Sequence, residues 1–213
     1  RETVLRNAYL KATRQTERGA AGKPAAFVIP VEQHDPLTAQ KMVNKLLGQG
    51  IEVKQASRGF THEGRIYGAG TFVVSMAQPK RGVIRWLLGR TFYPDNSYTR
   101  NRDGSPIRPY DMSTDNMAEF MGVRVDPVGE AVETGLSEVT ALIEPVGRAT
   151  AGRFGYVLDG RLNDSFEAVN LLLAASVAVR RVDRPANGRV RPGDFLVEAG
   201  APDATVADVT RET

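Results

Sequence analysis

Histidine, cysteine and carboxylate side chains set the chemistry a chain can hold. This one has no cysteine and two histidines, His34 and His62, in 213 residues. Disulfides, thiol nucleophiles and thiolate-bound zinc are therefore excluded. A catalytic zinc typically takes three protein ligands and an open position. His34-Asp35 and His62-Glu63 are the only local His/carboxylate pairs, and neither spacing puts two ligands on one helix face. Asp35 before Pro36 reads better as a helix N-cap, and His62-Glu63 as turn residues. A Ser/His/Asp triad could be drawn from this inventory, but nothing in the sequence brings its members together. Gly68-Ala69-Gly70 is too short for a phosphate-binding fingerprint and precedes a strand. No Gly-x-Ser-x-Gly elbow is present. No catalytic residue, metal ligand or cofactor is assigned to this chain.

Two groups remain as ligand-binding candidates. In Arg108-Pro109-Tyr110-Asp111 the arginine fork could clamp a carboxylate or phosphate, with Tyr110 stacking beside it. The simpler reading is a loop pinned down by an Arg108–Asp111 pair and a buried tyrosine. The second group lies beyond the ends of two expected strands, where ligands often sit in α/β sheets. One strand end carries Glu32, Gln33, His34 and Asp35; the other carries Asp159, Arg161, Asn163 and Asp164. Gln33, His34, Arg161 and Asn163 are taken from it as binding candidates.

The elements that must position these residues follow from periodicity. Val4, Leu5, Tyr9 and Ala12 give residues 2–18 a helical stripe, and Gly19–Lys23 reads as a flexible linker. Ala25–Pro30 reads as a strand, followed by a helix from Pro36 with Ala39, Met42, Val43, Leu46 and Leu47 on one face. Strands are expected at 51–55, in a pair turning at Glu63-Gly64, and at 71–75. Pro79 opens a helix, residues 90–112 form a long loop, and Ser113 or Thr114 can cap a short helix. Further strands are expected at 123–125, 136–143, 154–158, 177–182 and 195–197. A helix capped by Asp164 lies among them, and residues 203–213 could begin another.

The last third matches the first. Phe27-Val28-Ile29 aligns with Tyr156-Val157-Leu158, Asp35 with Asp164, Val43-Asn44 with Val169-Asn170, and Ile51-Glu52-Val53 with Val177-Ala178-Val179. Residues 67–74 align with 190–197, the offset falling from 129 to 123. A helix between strands buries its apolar face on a sheet. The expected fold is therefore α/β: a mixed sheet built from two duplicated β-α-β-β units, with helices packed on it. Residues 1–23 stand ahead of the module as a separate helical segment. The module spans 24–200, with copies at about 25–78 and 154–200 and a loop-rich insert at 79–153. A linker or further helix starts at 201–213.

Composition narrows the class. Hydrophobic residues make up 41% and charged residues 25%, which fits a globular domain and excludes a disordered tail, a collagen or a coiled coil. Net charge is +3. Lys80 to Arg108 holds seven basic residues against Asp95 and Asp103, with Trp86, Phe92, Tyr93 and Tyr98 interleaved. Such a stripe could bind nucleic acid, although a solvated arginine-bearing helix and loop explains it more simply. No stretch approaches the roughly 20 apolar residues of a membrane span. The chain opens on Arg1 and is read as a piece of a longer protein.

Several stretches in order carry a family resemblance. They are Phe27-Val28-Ile29-Pro30 with Gln33 and Asp35-Pro36; Tyr67 to Val74; Gln78-Pro79; Phe92-Tyr93-Pro94-Asp95; Arg108-Pro109-Tyr110-Asp111; and Met121-Gly122-Val123. Over roughly residues 1–200 the chain resembles the region that follows the peptidase domain in bacterial secreted zinc carboxypeptidase-like proteins, the metallocarboxypeptidase family. It departs at Gly68, where that family usually has proline, and at Ser113–Glu119, which replaces a more apolar stretch. The resemblance implies a non-catalytic accessory module, secreted or periplasmic, with the upstream peptidase domain as its partner, zinc held in that domain, and residues 1–23 as the linker helix leaving it. The module would pack on the peptidase or bind a peptide or glycan. An independent α/β domain binding a small molecule or peptide is the alternative, and a nucleic-acid-binding module is the least favoured reading.

Overall fold

The computed structural model describes residues 1–90, 94–108, 116–133, 135–145, 155–185 and 190–198. The chain is mixed α/β. It divides into two compact units, Arg1–Val31 with Lys45–Thr140, and Glu32–Asn44 with Ala141–Thr213. The boundary falls inside a helix.

The first unit opens with α1 (Glu2–Ala21). This helix runs through the expected linker, and Gly19 is its buried residue. A Cβ on Gly19 would lie 1.8 Å from the Met76 carbonyl oxygen, so only glycine lets the helix approach that backbone. The sheet strands of this unit are β1 (Ala26–Ile29), β2 (Lys54–Ala56), β5 (Phe72–Ser75), β6 (Asp126–Val128) and β7 (Leu136–Glu138). They pair antiparallel in the order β6-β1-β5-β2-β7. All four residues of β1 are buried, as expected of a strand covered on both faces.

A hairpin of β3 (Phe60–His62) and β4 (Arg65–Tyr67) turns at Glu63 and Gly64. Both residues have positive φ, 47° and 74°, a region glycine enters freely and other residues rarely. The hairpin adds Phe60 and Tyr67, stacked at 5.2 Å, to a core with Ala26, Val28, Ala56, Val73 and Val128. Two helices complete the unit, α3 (Arg81–Leu88) and the single-turn α4 (Met117–Phe120). The α4 cap is Asn116, whose side chain accepts the Glu119 N–H at 2.9 Å. The expected caps Ser113 and Thr114 lie outside the described residues. The strand expected at 123–125 begins later, at Asp126.

The second unit holds β8 (Gly155–Leu158), α5 (Asn163–Ala174), β9 (Val179–Arg181) and β10 (Phe195–Glu198). Its strands pair antiparallel in the order β8-β10-β9. α5 buries Ala168 and Leu172 against Val197, with Tyr156, Leu158, Leu171, Val177 and Val179 around them. The helix α2 (Pro36–Gly48) contributes its first nine residues to this unit. Asn44 bonds Ile143 twice there, amide to carbonyl and N–H to amide oxygen, both at 2.8 Å.

The sheets are antiparallel throughout, and the two strand sets form separate sheets, not the single mixed sheet expected. Within each sheet one local pattern recurs. The third strand lies between the first and second in both. Ile29 pairs with Phe72 as Leu158 pairs with Phe195, and Lys54 pairs with Val73 as Arg180 pairs with Leu196. The chain leaves each helix through matching bonds, Ile51 N–H to Leu46 O at 3.1 Å and Val177 N–H to Leu172 O at 2.9 Å. Gly70 and Gly193 enter the third strands at φ 90° and 96°.

Candidate functional site

In the second unit, the start of α2 and the start of α5 converge on one carboxylate. Asp35 is buried. Its Oδ1 accepts the Thr38 N–H at 3.0 Å, and its Oδ2 accepts the Thr38 hydroxyl at 2.7 Å. The same Oδ2 accepts the Asn163 backbone N–H at 3.0 Å. Asp35 therefore caps its own helix, as expected, and also satisfies a free N–H in the first turn of α5. Both helix N-termini carry partial positive charge, which favours the anion. Burial would raise the Asp35 carboxyl, but hydrogen bonds from Asn163, Thr38 and Leu37 hold it below the usual carboxylate range.

Asp164 does not cap α5. The N-cap is Leu162, which offers no side-chain bond, and Asp164 lies inside the first turn. There its Oδ1 meets the Lys41 ammonium at 2.5 Å. Asn163 also donates from Nδ2 to the Thr38 hydroxyl oxygen at 3.0 Å. Of the candidates, Asn163 is thus brought against Asp35 and Thr38. Gln33 is half-buried and His34 exposed, next in sequence to that cluster.

Arg161 is engaged elsewhere. Its Nη2 donates to Asp159 Oδ2 at 2.8 Å, and Arg191 Nη2 reaches Asp159 Oδ1 at 2.7 Å. The Arg161 guanidinium, outweighing partial burial, holds the Asp159 carboxyl far below its ordinary value. Buried Asp194 accepts the Gly160 N–H at 3.0 Å and the Arg191 N–H at 2.8 Å. The strand-end polar groups are occupied largely with one another.

Arg108 is exposed and follows a structured turn. Arg100 forks Asp95 at 2.6 and 2.7 Å, Ile107 N–H bonds Thr99 O at 2.8 Å, and Arg100 pairs with Pro106 as an isolated bridge. Tyr110 and Asp111 lie outside the described residues.

A groove in the first unit was not anticipated. It encloses about 470 Å³ between Leu88, Arg90, Asn116, Glu119, Arg124 and Asp126. Buried Asp126 anchors one wall. It accepts from Arg124 Nη2 at 2.7 Å and from the Tyr67 hydroxyl at 3.3 Å, and it pairs with Arg65 at 3.4 Å. Burial first, and the Asp126 carboxylate second, push the Tyr67 hydroxyl above its ordinary value. Also in the lining, Arg90 meets Glu119 at 3.4 Å. Arg124-x-Asp126 was the available signal, since residues two apart on extended backbone share a face.

His62 serves the frame. His62 Nε2 lies 3.1 Å from the Glu130 carbonyl, and Glu63 Oε1 accepts the Gly129 and Glu130 N–H groups at 2.6 and 3.0 Å. Among the described residues, no three His, Asp or Glu side chains gather to hold one metal ion, and no helix is long and apolar enough to cross a membrane. No family model matches the chain, and neither a curated protein nor a solved structure matches it.

Proposed function

We propose that this chain is a non-catalytic accessory module of a zinc carboxypeptidase-like metallopeptidase, packing on the peptidase domain that precedes it in an exported protein. The observation that carries the reading is the α1 stripe. Its C-terminal end is buried at Gly19 and packs along α3, with Gln15 beside Gly82 and Gly22 beside Arg81. The same stripe continues outward over Val4, Leu5 and Tyr9, which are 70%, 66% and 70% exposed. On α3, Trp86 is 73% exposed. A contiguous apolar stripe left in water marks a contact surface.

The motifs of the resemblance support the same reading, because the side chains involved hold the frame. Asp35 caps helices. Thr71 Oγ1 accepts the Val31 N–H at 3.3 Å. The Gln78 side-chain amide bonds the Glu52 backbone twice, its oxygen accepting the N–H at 2.9 Å and its nitrogen donating to the carbonyl at 3.2 Å. We read the recurring strand pattern as two copies of one unit. Zinc belongs to the peptidase domain in this reading, and no residue of this chain is assigned to it.

The test mixes the purified chain with the peptidase domain from the same gene and measures binding by calorimetry. Zinc content and carboxypeptidase turnover of the chain alone are measured in parallel. Saturable binding that Leu5→Glu and Tyr9→Glu abolish is the expected result. Binding unaffected by both substitutions, or zinc-dependent turnover by the chain alone, would overturn it. The groove beside Asp126 favours a second reading, a domain that binds a small zwitterionic or peptide ligand between Arg90 and Arg124. A ligand-induced rise in melting temperature that Arg90→Ala removes would select it.

A further inference from the structure

α1 is one continuous helix, but its two halves have different support. From Leu10 onward the body of the first unit holds it. Ala12, Gln15 and Thr16 are half-buried, and Gly19 is buried against the Met76 carbonyl. Residues 1–9 are exposed on every face of the helix. Those turns therefore rely on their own helix bonds and on side-chain pairs within the helix.

Such support does not hold a helix in water. Thr3, Val4, Asn7 and Tyr9 each propagate a helix about two- to threefold less well than alanine. Branched and aromatic side chains lose rotamer freedom there, and asparagine competes for the backbone. Glu2 with Arg6, and Leu5 with Tyr9, stand four residues apart, and each pair returns about a factor of 1.5–2. Four weak residues outweigh two such pairs. Most helical stability comes from packing an apolar face, and the face of Val4, Leu5 and Tyr9 is still in water. Thr13 softens the junction between the halves. Its hydroxyl donates to the Tyr9 carbonyl at 3.1 Å, a bond that slightly weakens and bends helices.

We propose that the outer half of α1 is a conditionally folded segment. Residues 1–9 exchange between coil and helix in the chain on its own, and set as helix when the stripe is covered. The inference rests on the docking reading given above and adds how that docking is regulated. Affinity for the peptidase domain is lowered by the fraction of chains that already hold the outer helix. A change that favours helix in residues 1–9 therefore tightens binding without touching the partner. Asn7 is the position that reads this. It stands two residues from both Leu5 and Tyr9, on the side of the helix away from the stripe.

Hydrogen exchange of the purified chain is the first test. The N–H groups of residues 6–9 have acceptors within the helix, so fast exchange there reports fraying and not the free donors of a first turn. They should exchange within about tenfold of the unstructured rate, and those of residues 14–21 at least about a hundredfold more slowly. Adding the peptidase domain from the same gene should slow residues 6–9. Calorimetry then compares Asn7→Ala with Asn7→Gly. The alanine variant should bind about fivefold tighter, with the melting temperature of the chain unchanged. Amides at 6–9 as protected as those at 14–21 in the chain alone overturn the proposal even where binding is intact. Equal affinities of the two Asn7 variants overturn it as well. Fast exchange at 6–9 with no binding by the wild-type chain overturns the docking reading instead, and the ordering step falls with it.

Discussion

Replacing Asp35 by alanine removes one carboxylate that serves two helices. The loss of the α2 cap costs about 1 kcal/mol by comparison with other caps. The Asn163 N–H then loses its acceptor in a partly buried place, which costs about 1–3 kcal/mol. The expected destabilisation is therefore roughly 2–4 kcal/mol. Thr38→Val removes only the hydroxyl that bridges Asp35 and Asn163 and should cost about 1 kcal/mol. Asn163→Ala keeps the backbone N–H and should cost no more than that. Urea denaturation followed by circular dichroism at pH 7 measures all three.

The pH dependence follows from the depressed Asp35 carboxyl. A carboxyl lower in the folded state stabilises fully above its unfolded value of about 4 and loses that contribution as pH falls through the folded value. The gap between wild type and Asp35→Ala should thus narrow as pH falls below about 4. A gap under about 0.5 kcal/mol at pH 7, within the range of ordinary surface substitutions, would refute the shared cap. So would a gap as large for Asn163→Ala as for Asp35→Ala.

Gly19→Ala would gain about 1 kcal/mol of helix propensity in an isolated helix. Here its Cβ meets the Met76 carbonyl, so the variant should release α1 and open it to limited proteolysis. Asp194→Ala strips acceptors from the Gly160 and Arg191 N–H groups and should cost about 2–3 kcal/mol. Asp194→Thr, which places the Thr71 side chain at the equivalent position, should recover part of that in the same denaturation assay. Tyr67 is raised by burial first and by Asp126 second. Its stabilisation is complete below its unfolded value of about 10 and is lost as pH rises through the folded value. Tyr67→Phe should therefore unfold less steeply than the wild type in alkaline melts, and the wild-type phenolate absorbance should appear late.

Local signals determined much of this protein. The 3.6-residue stripe from Ala39 to Leu47 set α2, Asp35-Pro36 set its start, and Glu63-Gly64 set the hairpin turn. The matched strands at 27–29 and 156–158, and at 72–74 and 195–197, were legible as alternating or continuous apolar runs. The C-terminal end of α1 and the cap of α5 were not. A glycine cluster reads as a linker until the Met76 carbonyl is seen to need Gly19 beneath it. Asp164 has the right residue type for a cap, yet the acceptor for the Asn163 N–H of α5 is Asp35, 128 positions before Asn163. The groove wall at Asp126 joins Arg65, Tyr67 and Arg124 through side chains alone, which leave no periodic trace. Periodicity reports which face of an element is apolar, and capping residues report where it starts. Sheet membership, shared caps and converging charges depend on which distant backbone groups still lack a partner once the chain has closed, and only the tertiary structure decides that.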